Sequence, residues 1–91
     1  MKFTKDNFKQ LAISKIDVLA SEEENLAEWC KKHHYNYEAI RNAKYKGYIS
    51  DLYARKIWCQ YVYKYDVPLS IHEKVDPILE EIEKEYGISN E

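Results

Sequence analysis

The chain has 91 residues, of which 45% are hydrophobic and 33% charged, with only two glycines, two prolines and two cysteines. This composition argues against a disordered chain, a disulfide scaffold and a sheet protein rich in tight turns, and the length suits one domain with a small core. No apolar run approaches the roughly 20 residues of a membrane helix, and the start lacks the apolar segment of a secretory signal, so we expect a cytoplasmic protein without membrane contact.

Charge is distributed unevenly along the chain, although the net charge is only −2. Residues 1–30 carry four basic and six acidic side chains, residues 31–64 eight basic and two acidic, and residues 65–91 two basic and eight acidic. Contacts to phosphate need a local cationic surface, whatever the overall charge. The middle third therefore predicts a phosphate-binding surface, the alternative being an ordinary mixed helix surface.

A first helix is predicted over roughly residues 5–20, because apolar residues recur there with helical spacing. Its stripe comprises Phe8, Leu11, Ile16 and Leu19. A second helix follows, and its start is open between two capping patterns about one turn apart. The two patterns are Ser21 with Glu24 and Asn25 with Glu28. The apolar face of this helix comprises Leu26, Trp29, Cys30 and His33.

A third helix is predicted from Tyr37 to about Lys46, because Asn36 is a suitable N-cap and Gly47 a natural terminating residue. Its inward positions are Ile40 and Ala43. A fourth helix starts at Ser50 or Asp51 and has the clearest periodicity in the chain. Its stripe comprises Ala54, Ile57, Trp58, Tyr61, Val62 and Tyr65.

A fifth helix is predicted to begin at Pro77, because Asp76 followed by proline is typical of an N-cap and the first helical position. The preceding residues 70–75 are then expected to form an irregular turn. The stripe of the fifth helix comprises Ile78, Leu79, Ile82 and Tyr86. With no linker in the chain, residues 1–87 form one predicted domain, and residues 88–91 are predicted to fray.

The second and third predicted helices are joined by very few residues, as in a helix-turn-helix, in which two helices meet at roughly 90–120° across a short turn. Individual positions fit this motif: a small residue at the helix crossing, a bulky core neighbour, an apolar turn residue, a cap and an apolar anchor. These are, in order, Cys30, Trp29, Tyr35, Asn36 and Ile40.

The stretch WCKKHHYNYEAI resembles the helix-turn-helix of lambda-repressor-like (Cro/CI or Xre) proteins and small phage regulators. Its continuation, KGYISDLYARKIWCQYVYKYDVPL, strengthens a likeness that covers about residues 21–72. The matching features there are Gly47, Ala54, Ile57 and Val67-Pro68-Leu69. Two departures are His34, where glycine is usual, and a fourth helix about one turn longer than usual. The five helices indicated by periodicity, together with this resemblance, predict an all-α compact bundle of about five helices containing a helix-turn-helix.

The resemblance also implies sequence-specific binding of double-stranded DNA by a phage or mobile-element transcriptional regulator. The third helix would face the groove with Tyr37, Glu38, Arg41, Asn42 and Tyr45. Arg41 suits guanine, Asn42 adenine and Glu38 cytosine. Phosphate contacts would come from Lys31, Lys32, Asn36, Lys44 and Lys46. The alternative is that these residues are merely the solvated face of a helix.

Rival chemistries have weaker support. Cys30 and His34 share a helix face, and Cys59 or His72 are further candidate metal ligands, but the usual ligand spacings do not repeat. A cysteine and a histidine without an orienting third group or a phosphate loop do not indicate catalysis. We therefore predict no enzyme, no metal site and no cofactor.

A protein-interaction module built on a helix-turn-helix scaffold is the alternative function, for example a phage-encoded inhibitor of a host or defence protein. Tyr63 lies off the core stripe and suits an interface, where tyrosine is enriched. The acidic C-terminal helix suits either core closure or a homodimer. The operator, the sign of regulation and the oligomeric state are left open by the sequence.

Overall fold

Five α-helices make up the computed structural model, which describes residues 2–88 and has no strand in that range. They are α1 (Lys5–Ala20), α2 (Leu26–His33), α3 (Tyr37–Lys46), α4 (Asp51–Lys64) and α5 (Leu69–Tyr86). The predicted all-α class is confirmed. Of the segment predicted to fray, residues 89–91 lie outside the described part, whereas the Ile88 amide donates to the Glu83 carbonyl at 2.8 Å.

Each of the first four helices is preceded by an N-cap residue whose side chain accepts a hydrogen bond from the backbone N–H three positions later in the chain. These caps are Thr4, Asn25, Asn36 and Ser50. Such a bond satisfies one of the amides that a helix start leaves without an intrahelical partner, and is typically worth about 1 kcal/mol. The later of the two alternative starts of α2 is therefore the observed one, and the predicted bounds of α3 are confirmed.

Every helix contributes to one core. Phe8, Trp29, Ile40, Trp58 and Ile82, one from each helix in chain order, are at most 1% exposed. Helices α1 and α4 share more tertiary contacts than any other pair of these five helices. The Phe8 ring there meets the Trp58 ring edge-on, with centroids 6.3 Å apart. Each fully buried side chain of this size stabilises the fold by roughly 1.5–3 kcal/mol. Burial of one face of each helix therefore determines which face of that helix points to solvent.

The predicted start of the fifth helix was wrong. Helix α5 begins at Leu69 and runs unbroken past Pro77, so residues 70–75 are helical rather than an irregular turn and Asp76 is not a cap. The physical reason lies in Val75, which is fully buried and continues the apolar stripe of Ile78 and Ile82 back by one turn. Burial of that turn offsets the cost of an internal proline, which lacks the N–H that would reach the Glu73 carbonyl.

Asp51, the first residue of α4, links three helices. Its carboxylate lies 2.8 Å from Lys9 Nζ and 3.3 Å from Lys5 Nζ, both on α1. Lys5 Nζ also lies 3.0 Å from Glu85 Oε2 near the end of α5. Burial by itself disfavours the charged form of Asp51, but the hydrogen bonds from Lys9 and Lys5 outweigh it and lower the pKa of this carboxyl.

Candidate nucleic-acid interface

Three residues, 34–36, connect α2 to α3. His34 adopts the left-handed conformation with φ 62°, and the following Tyr35 amide donates to the Cys30 carbonyl at 2.8 Å. Left-handed residues commonly end helices, and glycine is the usual choice because other residues are strained there. Helix α2 therefore ends at His34, where the sequence has histidine in place of the usual glycine.

Tyr35 anchors the connection in the core. It is 6% exposed, its ring stacks on Trp29 with centroids 4.8 Å apart, and it meets Tyr53 edge-on at 5.1 Å. Burial raises the pKa of the Tyr35 phenol above its ordinary value. Cys30, predicted as the small residue at the crossing of the two helices, is also buried, and burial raises the pKa of its thiol. The apolar turn residue and the small residue thus occupy the interior positions that spacing predicts.

Asn36 is exposed, and both its side-chain oxygen and its backbone amide form hydrogen bonds within the protein. Its side-chain oxygen accepts from the Ala39 amide at 3.0 Å, and its own amide donates to Tyr53 Oη at 2.9 Å. The side chain that was predicted to contact phosphate therefore serves as the cap of α3. Its hydrogen bond to Tyr53 of α4 fixes the start of α3 relative to the rest of the bundle.

The outer face of α3 carries a row of side chains at four-residue spacing. Tyr37 is 43% exposed, Tyr45 is 75% exposed, and the guanidinium of Arg41 lies between them in sequence. Glu38 is also exposed, with Oε1 3.9 Å from Arg41 Nη1. Four residues of helix rise by about 6 Å, so the row presents aromatic, cationic and aromatic groups over about 12 Å.

An open groove of about 490 Å³ runs between this face and the start of α2. It is lined by Asn25, Leu26, Ala27, Tyr37, Arg41, Lys44 and Tyr45. A second hollow, of about 250 Å³, lies further around α3. It is lined by Glu38, Arg41, Asn42, Tyr45 and Lys46. The predicted groove-facing residues thus lie together, with Asn42 more covered than the others.

The cations of the middle third are less available than their number suggests. Lys44 turns towards α1, where its Nζ lies 2.7 Å from Asp17 Oδ1, and that hydrogen bond raises the pKa of Lys44. Lys32 Nζ lies 3.4 Å from Glu23 Oε2. Lys31 and Lys46 are exposed, and no acidic group within residues 2–88 forms an ion pair with either. In the folded protein, some lysines of the basic segment therefore form ion pairs with acidic residues of the N-terminal third.

The remaining cations of this segment also have partners. Arg55 binds Glu83 through two nitrogens, at 2.7 and 2.9 Å, and Lys64 binds Glu22. Lys56 Nζ donates to the His33 carbonyl at 2.7 Å and lies 4.4 Å from the centre of the Tyr35 ring. These three cations brace α4 against its neighbours.

Tyr53 and Lys56 are positioning residues that the sequence did not indicate. Both lie on α4, outside its predicted apolar stripe. Tyr53 accepts a hydrogen bond from the Asn36 amide in the α2–α3 connection, and Lys56 donates one to the carbonyl of His33, the last residue of α2. His33, at the end of α2, also contacts α4: its ring nitrogens lie 3.3 and 3.5 Å from Nε2 of Gln60. Burial, followed by the neighbouring charge of Lys32, lowers the pKa of His33.

Within residues 2–88, no group of three histidine, cysteine, aspartate or glutamate side chains is arranged to hold a metal ion. Over the same range, no helix has the length and apolar character needed to cross a membrane. A scan against protein-family models, a search of curated proteins and a search of solved structures each found no match to this chain.

Proposed function

We propose that the protein binds double-stranded DNA, with α2 and α3 acting as a helix-turn-helix and α3 entering the major groove. The observation that carries the proposal is the outward row Tyr37–Arg41–Tyr45 on a helix whose start is fixed by Asn36 and Tyr53. A major groove about 12 Å wide admits one α-helix with its side chains. Base readout requires a helix held in one orientation, and this is supported by the buried Tyr35 in the α2–α3 connection and by the hydrogen bond from the Asn36 amide to Tyr53.

Roles follow from the chemistry of each side chain. Arg41 suits a bidentate contact to guanine, and Glu38, close to it, accepts from cytosine. Lys31 and Lys46 are the cations best placed for phosphate, because no acid of the described chain pairs with them. Lys32 is mostly exposed and its ion pair with Glu23 is worth at most about 1 kcal/mol, so a phosphate can replace that partner.

The resemblance to lambda-repressor-like proteins adds the biological setting to this proposal. The protein would act in the cytoplasm as a small transcriptional regulator of phage or mobile-element type. Selection of bound sequences from a random duplex pool tests the proposal, because enrichment of a motif establishes specific binding and half-site symmetry reveals whether two copies bind. Absence of duplex binding at low salt contradicts it.

Two substitutions separate readout from general attraction. Arg41→Ala should reduce discrimination between the selected and a scrambled duplex by about 1–3 kcal/mol. Lys32→Ala should weaken binding to both duplexes alike and lower the salt dependence of binding. Lys74→Ala is the matched control, because it removes the same charge from α5, away from α2 and α3. Equal loss in all three variants would indicate attraction by net charge alone.

A second candidate function, binding to a protein partner, is favoured by a different surface. Tyr63 on α4 is 90% exposed and borders an apolar groove between α4 and α5. Neutralising Lys31, Lys32, Arg41 and Lys44 together separates the two functions: DNA binding would be lost, whereas an activity carried by the groove would be retained.

A further inference from the structure

The α4–α5 groove has a volume of about 330 Å³. It is lined by Trp58, Cys59, Val62, Tyr63, His72, Asp76 and Leu79. Trp58 is only 1% exposed, while Val62 and Leu79 are partly buried against the core. The floor of the groove is therefore formed by residues at the edge of the hydrophobic core, between two helices. Tyr63 lies at its border as the most exposed large hydrophobic side chain among the described residues.

A second hollow, of about 300 Å³, continues the groove along α5. It shares Asp76 and Leu79 with the first and adds Glu80 and Glu83. Glu73, Asp76 and Glu80 are exposed at three- and four-residue spacing, which places them on one side of α5. An acidic edge thus follows the apolar groove for two turns of the helix.

The cations of α4 each have a partner, and the partner of Arg55, Glu83, is itself one of the residues that line the second hollow. On α4, Arg55 binds Glu83, Lys56 binds the His33 carbonyl, and Lys64 binds Glu22. Neither Lys74 nor Lys84 of α5 lines either hollow. His72 Nδ1 lies 3.9 Å from Asp76 Oδ1, and it is the one potential cation among the groove-lining residues. The surface therefore combines an apolar floor with negative charge along one side.

We infer that this groove binds a cationic amphipathic helix of a partner protein. Apolar side chains of such a helix, spaced by three or four residues, would occupy the space over Trp58, Val62 and Leu79, as in other helix-in-groove complexes. Its lysine or arginine residues would lie against Asp76 and Glu80. A second copy of this chain paired through α5 fits less well, because the acidic edge of α5 in one copy would lie against the same acidic edge in the other, and like charges repel.

The direct test uses the full chain, labelled with ¹⁵N, and a synthetic helical peptide of leucine and lysine at amphipathic spacing. Two control peptides have the same length: one has glutamate for lysine, and the other has serine for leucine. Chemical-shift changes confined to α4 and α5 with the leucine–lysine peptide alone support the inference. Binding of the glutamate peptide with equal affinity, or shifts that map to α2 and α3, overturns it.

Variants of exposed residues locate the contact without disturbing the core. Tyr63→Ala should lower the affinity for the leucine–lysine peptide by about fivefold or more, as expected for an aromatic interface residue. Asp76→Asn should lower the same affinity by about two- to threefold, as expected for the loss of an exposed ion pair. Tyr48→Ala is the matched control, since Tyr48 is 75% exposed but lies in the α3–α4 connection. An unchanged affinity in Tyr63→Ala overturns the inference.

Sedimentation of the chain alone tests the competing occupant. A dimer that Tyr63→Ala abolishes would mean that a second copy fills the groove, and would overturn the assignment to a separate partner. A monomer that binds the leucine–lysine peptide supports it. Neither result depends on duplex DNA, so this inference and the proposed function fail or survive separately.

Discussion

The left-handed backbone conformation of His34 determines the geometry of the α2–α3 connection more directly than any other residue there. Among residues 2–88, His34 is the one non-glycine residue with positive φ. The resemblance to lambda-repressor-like proteins implied glycine at this position, whereas spacing predicted that Cys30 and Ile40 lie in the interior, where both are buried. Spacing did not predict that Tyr53 would bind the Asn36 amide, because that contact joins residues 17 positions apart through tertiary packing.

His34→Gly should stabilise the protein. Glycine adopts the left-handed conformation without the side-chain clash that histidine suffers, although it also has more freedom to lose on folding. The expected net gain is about 0.5–1 kcal/mol in the free energy of unfolding, measured by urea denaturation. Lys31→Gly, at an exposed helical position nearby, should instead cost about 1 kcal/mol. Equal destabilisation by both would show that the His34 conformation carries no strain.

At the level of the helices, capping residues and apolar periodicity predicted four of the five with close to the observed bounds. The exception, α5, shows the limit of local signals. Asp76-Pro77 has the local pattern of a helix start, and a fully buried Val75 one turn earlier overrides it. What decides between the two is the position of α5 against α1 and α4, which only the assembled bundle provides.

Pro77→Ala should therefore stabilise the protein, because alanine restores an N–H that can reach the Glu73 carbonyl. A proline inside a helix costs about 3 kcal/mol relative to alanine, and its stiffening of the unfolded chain offsets up to about 1, which leaves an expected gain of about 2 kcal/mol. Pro68→Ala is the control of opposite sign: Pro68 precedes the helix, so only the unfolded-state benefit is lost. Urea denaturation of both variants decides the matter, and a loss of stability in Pro77→Ala would contradict this account of α5.

The ion pairs of Asp51 make the junction of α1 and α4 sensitive to acid. The pKa of Asp51 is lower in the folded protein than its ordinary value of 3.8, so its contribution is present above that pH and is lost as pH falls through the folded pKa. Asp51→Asn should cost up to about 1 kcal/mol at pH 7. The difference from the unsubstituted protein should shrink at pH 3, as followed by urea denaturation. A constant difference between the two pH values would mean that the carboxylate charge is not responsible.

Across the whole molecule, the three charge segments of the sequence are folded against one another. Lys44 of the basic segment meets Asp17 of α1, and Arg55 meets Glu83 of α5. The sequence predicted the segments but not the pairing, because pairing depends on which helix faces overlap. Charge available to a polyanion is thus smaller than the +6 carried by residues 31–64, eight basic side chains against two acidic.

Asp17→Asn should consequently increase duplex affinity if the proposed function holds. Asp17 is largely exposed and its pairing with Lys44 is weak in free energy, so its loss leaves Lys44 free to reach a phosphate. The expected change is an increase of about threefold at low salt, with a steepening of log K against log salt by about 0.9. Fluorescence anisotropy across a salt series measures both, and Lys44→Ala should move both in the opposite direction. Asp66→Asn, the same charge change between α4 and α5, is the control: an equal increase there would assign the effect to net charge rather than to the surface around α3.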